Sequence, residues 1–162
     1  MAKLSRFLIL IPSLAIIVGI AFVMILPTEL EHESVEFSRD TIMIDDIELT
    51  VQVADTDHRR ADGLMFQEEL PYDEGMLFVF DDSKKRSFWM SNMQFSLDII
   101  WIDSQENIVH IEKNVPPCNN TETKTCPRYD GGGKNAKYIL EVTSGFVDEF
   151  KITEDSKLEI TF

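Results

Sequence analysis

The sequence predicts a mainly β domain, a sandwich or barrel with one or two short helices, behind a single N-terminal transmembrane helix. Three observations carry this. Phe7 through Leu26 contains no charged residue. Beyond it, about eight short segments alternate apolar with polar residues or run apolar between turn residues. Only two short stretches, after Asp55 and after Ser144, read as helical.

At ~1.5 Å rise per residue, Phe7–Leu26 spans roughly 30 Å, the thickness of a hydrocarbon core. Lys3 and Arg6 precede it; Glu29, Glu31 and Glu33 follow. Cationic flanks stay in the cytoplasm, so residues 1–6 are expected inside and everything after Leu26 outside. A cleaved signal peptide has a shorter apolar core, about 7–15 residues, ending in a small-x-small site. Met24–Ile25–Leu26–Pro27–Thr28 offers no such site, so the reading is a retained single-pass anchor. Pro12 and Gly19 are tolerated in such a helix.

Residues 27–40 read as a linker and 41–162 as one extracytoplasmic domain, a size that supports a single core. Thr41–Ile44 and Ile47–Val53 are predicted strands joined at Asp45–Asp46; Ile47, Leu49, Val51 and Val53 alternate with polar residues, the pattern of a sheet wet on one face. Asp55–Thr56 supplies N-cap side chains for a helix to about Asp62, and Gly63 ends it. Gly75–Phe80, Phe88–Met90 and Leu97–Asp103 are the densest apolar stretches and are predicted as three adjacent core strands, with Asp81–Arg86 as a solvated hairpin turn. Asn107–Val115 is another strand, stopped by Pro116 and Pro117. Pro116–Asn135 is a long irregular loop, Ala136–Thr143 a strand, Ser144–Lys151 a short helix or turn, and Lys157–Phe162 a closing strand.

The chain has 29 acidic and 15 basic residues, a net charge of −14. Such a surface repels phosphate backbones, so nucleic-acid binding is not expected. Cys118 and Cys126 are the only cysteines; in an oxidising exterior they are expected to pair. Asn119–Asn120–Thr121, inside that loop, is an N-glycosylation sequon at Asn119. His32, His58 and His110 lack ligand spacing and no further Cys or His lies near the cysteine loop, so no metal site is expected. Gly131–Gly132–Gly133–Lys134 lacks the Ser/Thr and helix of a phosphate loop. No cofactor is indicated.

Several blocks taken together resemble one family. They are Ala54–Asp55–Thr56 with Arg60, Gly63–Leu64–Met65–Phe66, Leu70, and Gly75–Met76–Leu77–Phe78–Val79–Phe80. Phe88–Trp89–Met90 with Asn92, Leu97–Asp98–Ile99–Ile100 and Asp103 follow, then Tyr138–Ile139–Leu140–Glu141 with Gly145. This resembles the domain of unknown function 192, also called uncharacterised protein family 0127, over about Leu49 to Phe162. The resemblance implies a jelly-roll-like β-sandwich, often behind a signal or membrane segment, and no agreed reaction. Gln67 and Ser91 stand where that family usually carries basic residues, Met93 where it has Thr, and Ser96 where it has Pro. If the family's shared task uses those cations on an anionic ligand, this chain is expected to perform it less well.

Candidate chemistry rests on a few polar residues among these blocks. Asp98 lies in an apolar run, where an unpartnered carboxylate is costly. It either fixes a turn, pairs with Arg60, or lines a pocket as a general acid or base. Glu141 shares a strand face with Ile139 while Leu140 and Val142 take the other, so it is expected to be substantially buried. Asp98 and Glu141 together would make a two-carboxylate site of the glycosidase type; paired with Arg60 or Lys137, Glu141 would be a satisfied ion pair. The Arg60 fork suits a carboxylate on a ligand or an internal Asp. Asn92 would orient a ligand or cap a turn. Trp89 and Trp101 would stack a sugar ring or fill the core.

The expected function is a membrane-tethered domain that binds a small polar ligand, such as a saccharide, or a cell-envelope component through Arg60, Trp89, Asn92 and Asp98, without catalysis. The alternatives are a glycan-acting hydrolase or lyase using Asp98 and Glu141, and a structural or assembly partner of a membrane complex.

Overall fold

A computed structural model of the chain describes residues 35–118 and 125–162. The expected transmembrane helix over 7–26 and the sequon at Asn119 lie outside the described residues. Among those residues no helix is long and apolar enough to cross a membrane.

The domain is built on a single sheet of seven strands: β1 (Ser38–Ile44), β2 (Ile47–Ala54), β3 (Glu74–Lys85), β4 (Leu97–Ile102), β5 (Ile108–Val115), β6 (Asn135–Thr143) and β7 (Leu158–Ile160). Two short helices, α1 (Asp57–Asp62) and α2 (Phe146–Glu149), accompany them. The strand order is β5-β4-β6-β3-β2-β1-β7. All pairings are antiparallel except β2–β3, which α1 connects as a crossover. The sheet curls, and an isolated bridge between Asn107 and Lys157 joins the β5 side to the β7 side. The expectation of two facing sheets is thereby corrected to one sheet rolled on itself.

The roll explains two separate cores. An inner cluster takes one alternating face of every strand, including Ile42, Leu49, Val51, Leu77, Ile100, Ile108, Leu140, Val142 and Leu158, with Phe146 and Val147 of α2 packed among them. An outer cluster takes the other face of β3, β4 and β6, including Met76, Phe78, Ile99, Trp101 and Ile139, under Leu64, Leu70, Met90 and Met93 from the connecting loops. β3, β4 and β6 are therefore covered on both faces along much of their length. This is why Leu97–Ile102 is apolar at every position but Asp98 and buried at all six.

Two sequence expectations are corrected. Asp81–Arg86 is not a hairpin turn, because β3 runs on through Asp81–Lys85. Its pairing with β6 jumps from Val79↔Tyr138 to Lys84↔Ala136, so Phe80–Ser83 bulge out opposite Lys137. A bulge projects residues from the ladder into water, and charge there mimics a turn. Nor is Phe88–Met90 a strand. Phe88 makes one bridge to Tyr129, and the Cys118 N–H donates to the Met90 carbonyl.

Cys118 and Cys126 form the expected disulfide. Its loop ends hold Phe88–Met90 from two sides, through the Cys118–Met90 bond of 2.8 Å and the reciprocal Phe88–Tyr129 bonds of 2.8 and 2.9 Å.

Candidate functional site: a cleft over the outer sheet face

α1 starts at Thr56, whose hydroxyl accepts from the Arg59 N–H at 3.2 Å, and ends at Gly63 with φ 50°. A Cβ at Gly63 would stand 3.2 Å from the Phe78 ring, so glycine lets the helix end pass close over β3. This end, the Phe88–Met93 segment and β6 enclose a cleft of about 300 Å³, part of it open to solvent. Arg60, Asp62, Met65, Trp89, Met93 and Glu141 are among its lining residues.

Glu141 forms the floor. It sits between Met76 of β3 and Ile99 of β4, on the outer face, and is only 4% exposed. Among the described residues its carboxyl has no hydrogen-bond or ion-pair partner. Burial alone pushes its pKa up to about 8, so the group is mostly protonated at neutral pH. Asp62 stands on the rim, and its buried Oδ2 accepts no hydrogen bond. The exposed His58 places its Nε2 3.9 Å from that oxygen. Trp89 forms a wall, with the Arg128 guanidinium 4.5 Å from its ring centroid.

Arg60 reaches the cleft, but its guanidinium is occupied. Nη1 donates to the carbonyls of Asp55 (2.6 Å) and Val79 (2.7 Å), and Nη2 to the Asp57 carboxylate at 2.7 Å. It pairs with neither Asp98 nor Glu141. Lys137 lies over the Tyr138 ring instead of meeting Glu141.

Asp98 is not in the cleft. Asp98 and Glu141 lie on paired strands, with Asp98 opposite Val142 and Glu141 opposite Ile99. That one-residue offset turns their side chains to opposite faces of the sheet. Fully buried, Asp98 accepts from the backbone N–H of Asn114 (2.8 Å), Gly145 (3.1 Å) and Val147 (2.9 Å). The two-carboxylate reading of Asp98 with Glu141 is overturned by this geometry, as is Asp98 as a ligand contact.

Asn92 also stands apart. Held at φ 58°, it accepts the Phe66 N–H at its carbonyl and donates Nδ2 to Met65 Sδ at 3.6 Å, so it props the Met65 wall from behind. Trp101 is fully buried, its indole N–H donating to the Arg86 carbonyl at 3.2 Å, and belongs to the core. Of the expected site residues, Arg60, Trp89 and Glu141 meet in one place.

Two positions flagged as departures also have local explanations. Gln67 and Gln52 exchange side-chain amide hydrogen bonds at 3.0 and 3.1 Å. Ser91 is buried and paired with Cys118.

The family model of domain of unknown function 192, described as "Uncharacterized ACR", matches residues 40–160. The chain belongs to this family. A crystal structure from Sinorhizobium meliloti 1021, described as a proposed transcription regulator, is similar at 26% identity and a TM-score of 0.69, over 78% of this chain and 96% of that one. A protein of unknown function from Novosphingobium aromaticivorans DSM 12444 is similar at 25% identity and a TM-score of 0.68, over 80% of this chain and 90% of that one. No curated protein matches. In this chain Trp89 and Met93 line the cleft beside the Glu141 floor.

Proposed function

We propose that this chain is a membrane-tethered, outward-facing domain that binds a small polar ligand or cell-envelope component in the cleft between Trp89 and Glu141, without catalysis. One observation carries the reading. Glu141 is a buried carboxyl with no partner among the described residues, lining an open concavity. A polar group left unsatisfied in the interior costs about 1–3 kcal/mol, and a ligand that completes its hydrogen bonds recovers that cost. A concave, largely apolar site with a few polar groups is the usual form of a small-molecule site. The tether is supported by the uncharged run Phe7–Leu26 with its cationic flank, and the disulfide agrees with an oxidising exterior. A pocket beside Arg60 favours ligand binding over a flat assembly surface.

A thermal-shift screen of the protein against saccharides, small acids and small amines tests this. Stabilisation by at least one class, lost in Trp89→Ala, is expected; flat melting curves across all classes overturn it.

A further inference from the structure

The geometry points to a small organic cation, an ammonium carrying apolar substituents, as the ligand of this cleft. This rests on the binding reading above and specifies the ligand class.

The charged groups around the cleft decide its sign. Arg60, the cation of α1 that lines it, is neutralised by Asp57 and turned toward the carbonyls of Asp55 and Val79. Its guanidinium also lies 5.1 Å from the Phe80 ring centroid. On the same helix, Asp62 keeps a buried Oδ2 with no donor. From β6 comes Glu141, buried and unpartnered. Its strand neighbours Met76 and Ile99 are neutral, as are Met65, Phe78, Phe88 and Met93 around the walls. Among the described residues neither carboxyl group has a hydrogen-bond donor, His58 Nε2 standing 3.9 Å from Asp62 Oδ2. An anion would meet both carboxyl groups, with the Arg60 guanidinium already engaged and Arg128 held over the Trp89 ring. An ammonium would meet two acceptors.

The walls suit the rest of such a molecule. Trp89 holds the Arg128 guanidinium 4.5 Å from its ring centroid, so the indole at this wall already serves as a partner for a cation. Met65 and Met93 add polarizable thioethers that pack on methyl or methylene groups. The cleft is small and opens to solvent, so a small cation would place its charged end at the carboxyl groups and leave the rest toward the mouth.

Binding a cation favours ionised Glu141, so the ligand should displace its proton. With that pKa near 8, affinity is expected to rise about fifty-fold between pH 6 and pH 8. The other charged or titratable groups near the cleft are Arg60, Arg128 above the Trp89 ring, and Asp62 with the exposed His58 beside it.

The experiment uses the full chain and three probes, choline, ethanolamine and putrescine, with 3,3-dimethyl-1-butanol as the neutral isostere of choline. Calorimetry in two buffers of different ionisation enthalpy at pH 6, 7 and 8 reports affinity and proton release together. The inference expects one cation to bind at least tenfold more tightly than the isostere, with affinity rising with pH and about one proton released at pH 7. In Glu141→Gln, affinity should fall at least tenfold, and the pH dependence and proton release should vanish, with the circular dichroism spectrum unchanged. Equal binding of cation and isostere, affinity that falls as pH rises, or pH dependence that survives Glu141→Gln each overturns it. If saccharides or small acids stabilise the protein while all three cations fail, the cation inference falls and the binding reading stands. If nothing binds, both fall.

Discussion

The Asp98 carboxylate accepts the Val147 N–H at 2.9 Å, and through this bond β4 holds the first turn of α2 against the inner core. The same carboxylate takes the N–H of Gly145 and of Asn114, so one side chain ties three backbone segments together. Asp98→Ala would leave three N–H groups without their acceptor in a buried place. A loss of about 3–5 kcal/mol is expected, read as a lower urea midpoint with an unchanged slope. Asp98→Asn keeps one acceptor oxygen and should lose less. A silent Asp98→Ala would show that these bonds do not hold the turn.

Glu141 makes stability depend on pH. Its folded pKa, raised to about 8, exceeds the ordinary glutamate value of 4.5, so above that ordinary value the folded state holds a proton that the unfolded state has released. Stability therefore falls as pH rises from about 4.5 to about 8, by up to about 1.4 kcal/mol per unit from this group. Glu141→Gln removes the charge without changing the shape. The variant should melt with the parent near pH 4.5 and well above it at pH 8.5, as scanning calorimetry would show. Parallel stability curves across this range would contradict the burial of Glu141.

The disulfide should matter beyond stability. Intact mass spectrometry without reductant should find neither Cys118 nor Cys126 open to alkylation. The double variant Cys118→Ser/Cys126→Ser should lose about 2.5 kcal/mol, the entropy of a nine-residue loop in the simple chain model. Because the loop ends bond Phe88 and Met90, the Trp89 wall should loosen as well. A red shift and broadening of tryptophan emission under native conditions would report it; an unchanged spectrum would separate the bridge from the cleft.

Gly131 lies against the hidden face of Trp101. A Cβ there would fall 2.6 Å from the indole Cδ1, and the backbone φ is +63°. Gly131→Ala should cost about 2–3 kcal/mol through overpacking and a left-handed backbone. Near-ultraviolet circular dichroism should register the displaced Trp101.

Most strands were legible because their period was clean. Ile47–Val53 alternates, and Asp45–Asp46 marks its hairpin; Asp45 adds a clamp by accepting the Lys157 N–H at 2.7 Å. Thr56 and Gly63 bounded α1 correctly for the same reason, since capping is written in the capping residues themselves. The single rolled sheet was not legible, because local periodicity says which face is apolar but not which strands share a sheet. The charges of Asp81–Arg86 hid a bulged strand, since a bulge and a turn expose the same residue types. In the cleft, the burial of Glu141 followed from Ile139, Leu140 and Val142 around it. Its separation from Asp98 depended on register between β4 and β6, which no single strand records. Asp62 was missed although Arg60 and Gly63 flank it, because a carboxylate at a helix end reads as ordinary surface.

β7 is three residues long, yet it stands between β1 and an unsatisfied row of main-chain groups. A polypeptide trimmed just before Leu158 would keep six strands and uncover the flank of Ile42–Ile44 to any neighbour able to add a strand. Cleavage at the carboxyl end would then turn this sheet edge into a template for self-association, with Leu158, Glu159 and Ile160 acting as the molecule's own guard against it.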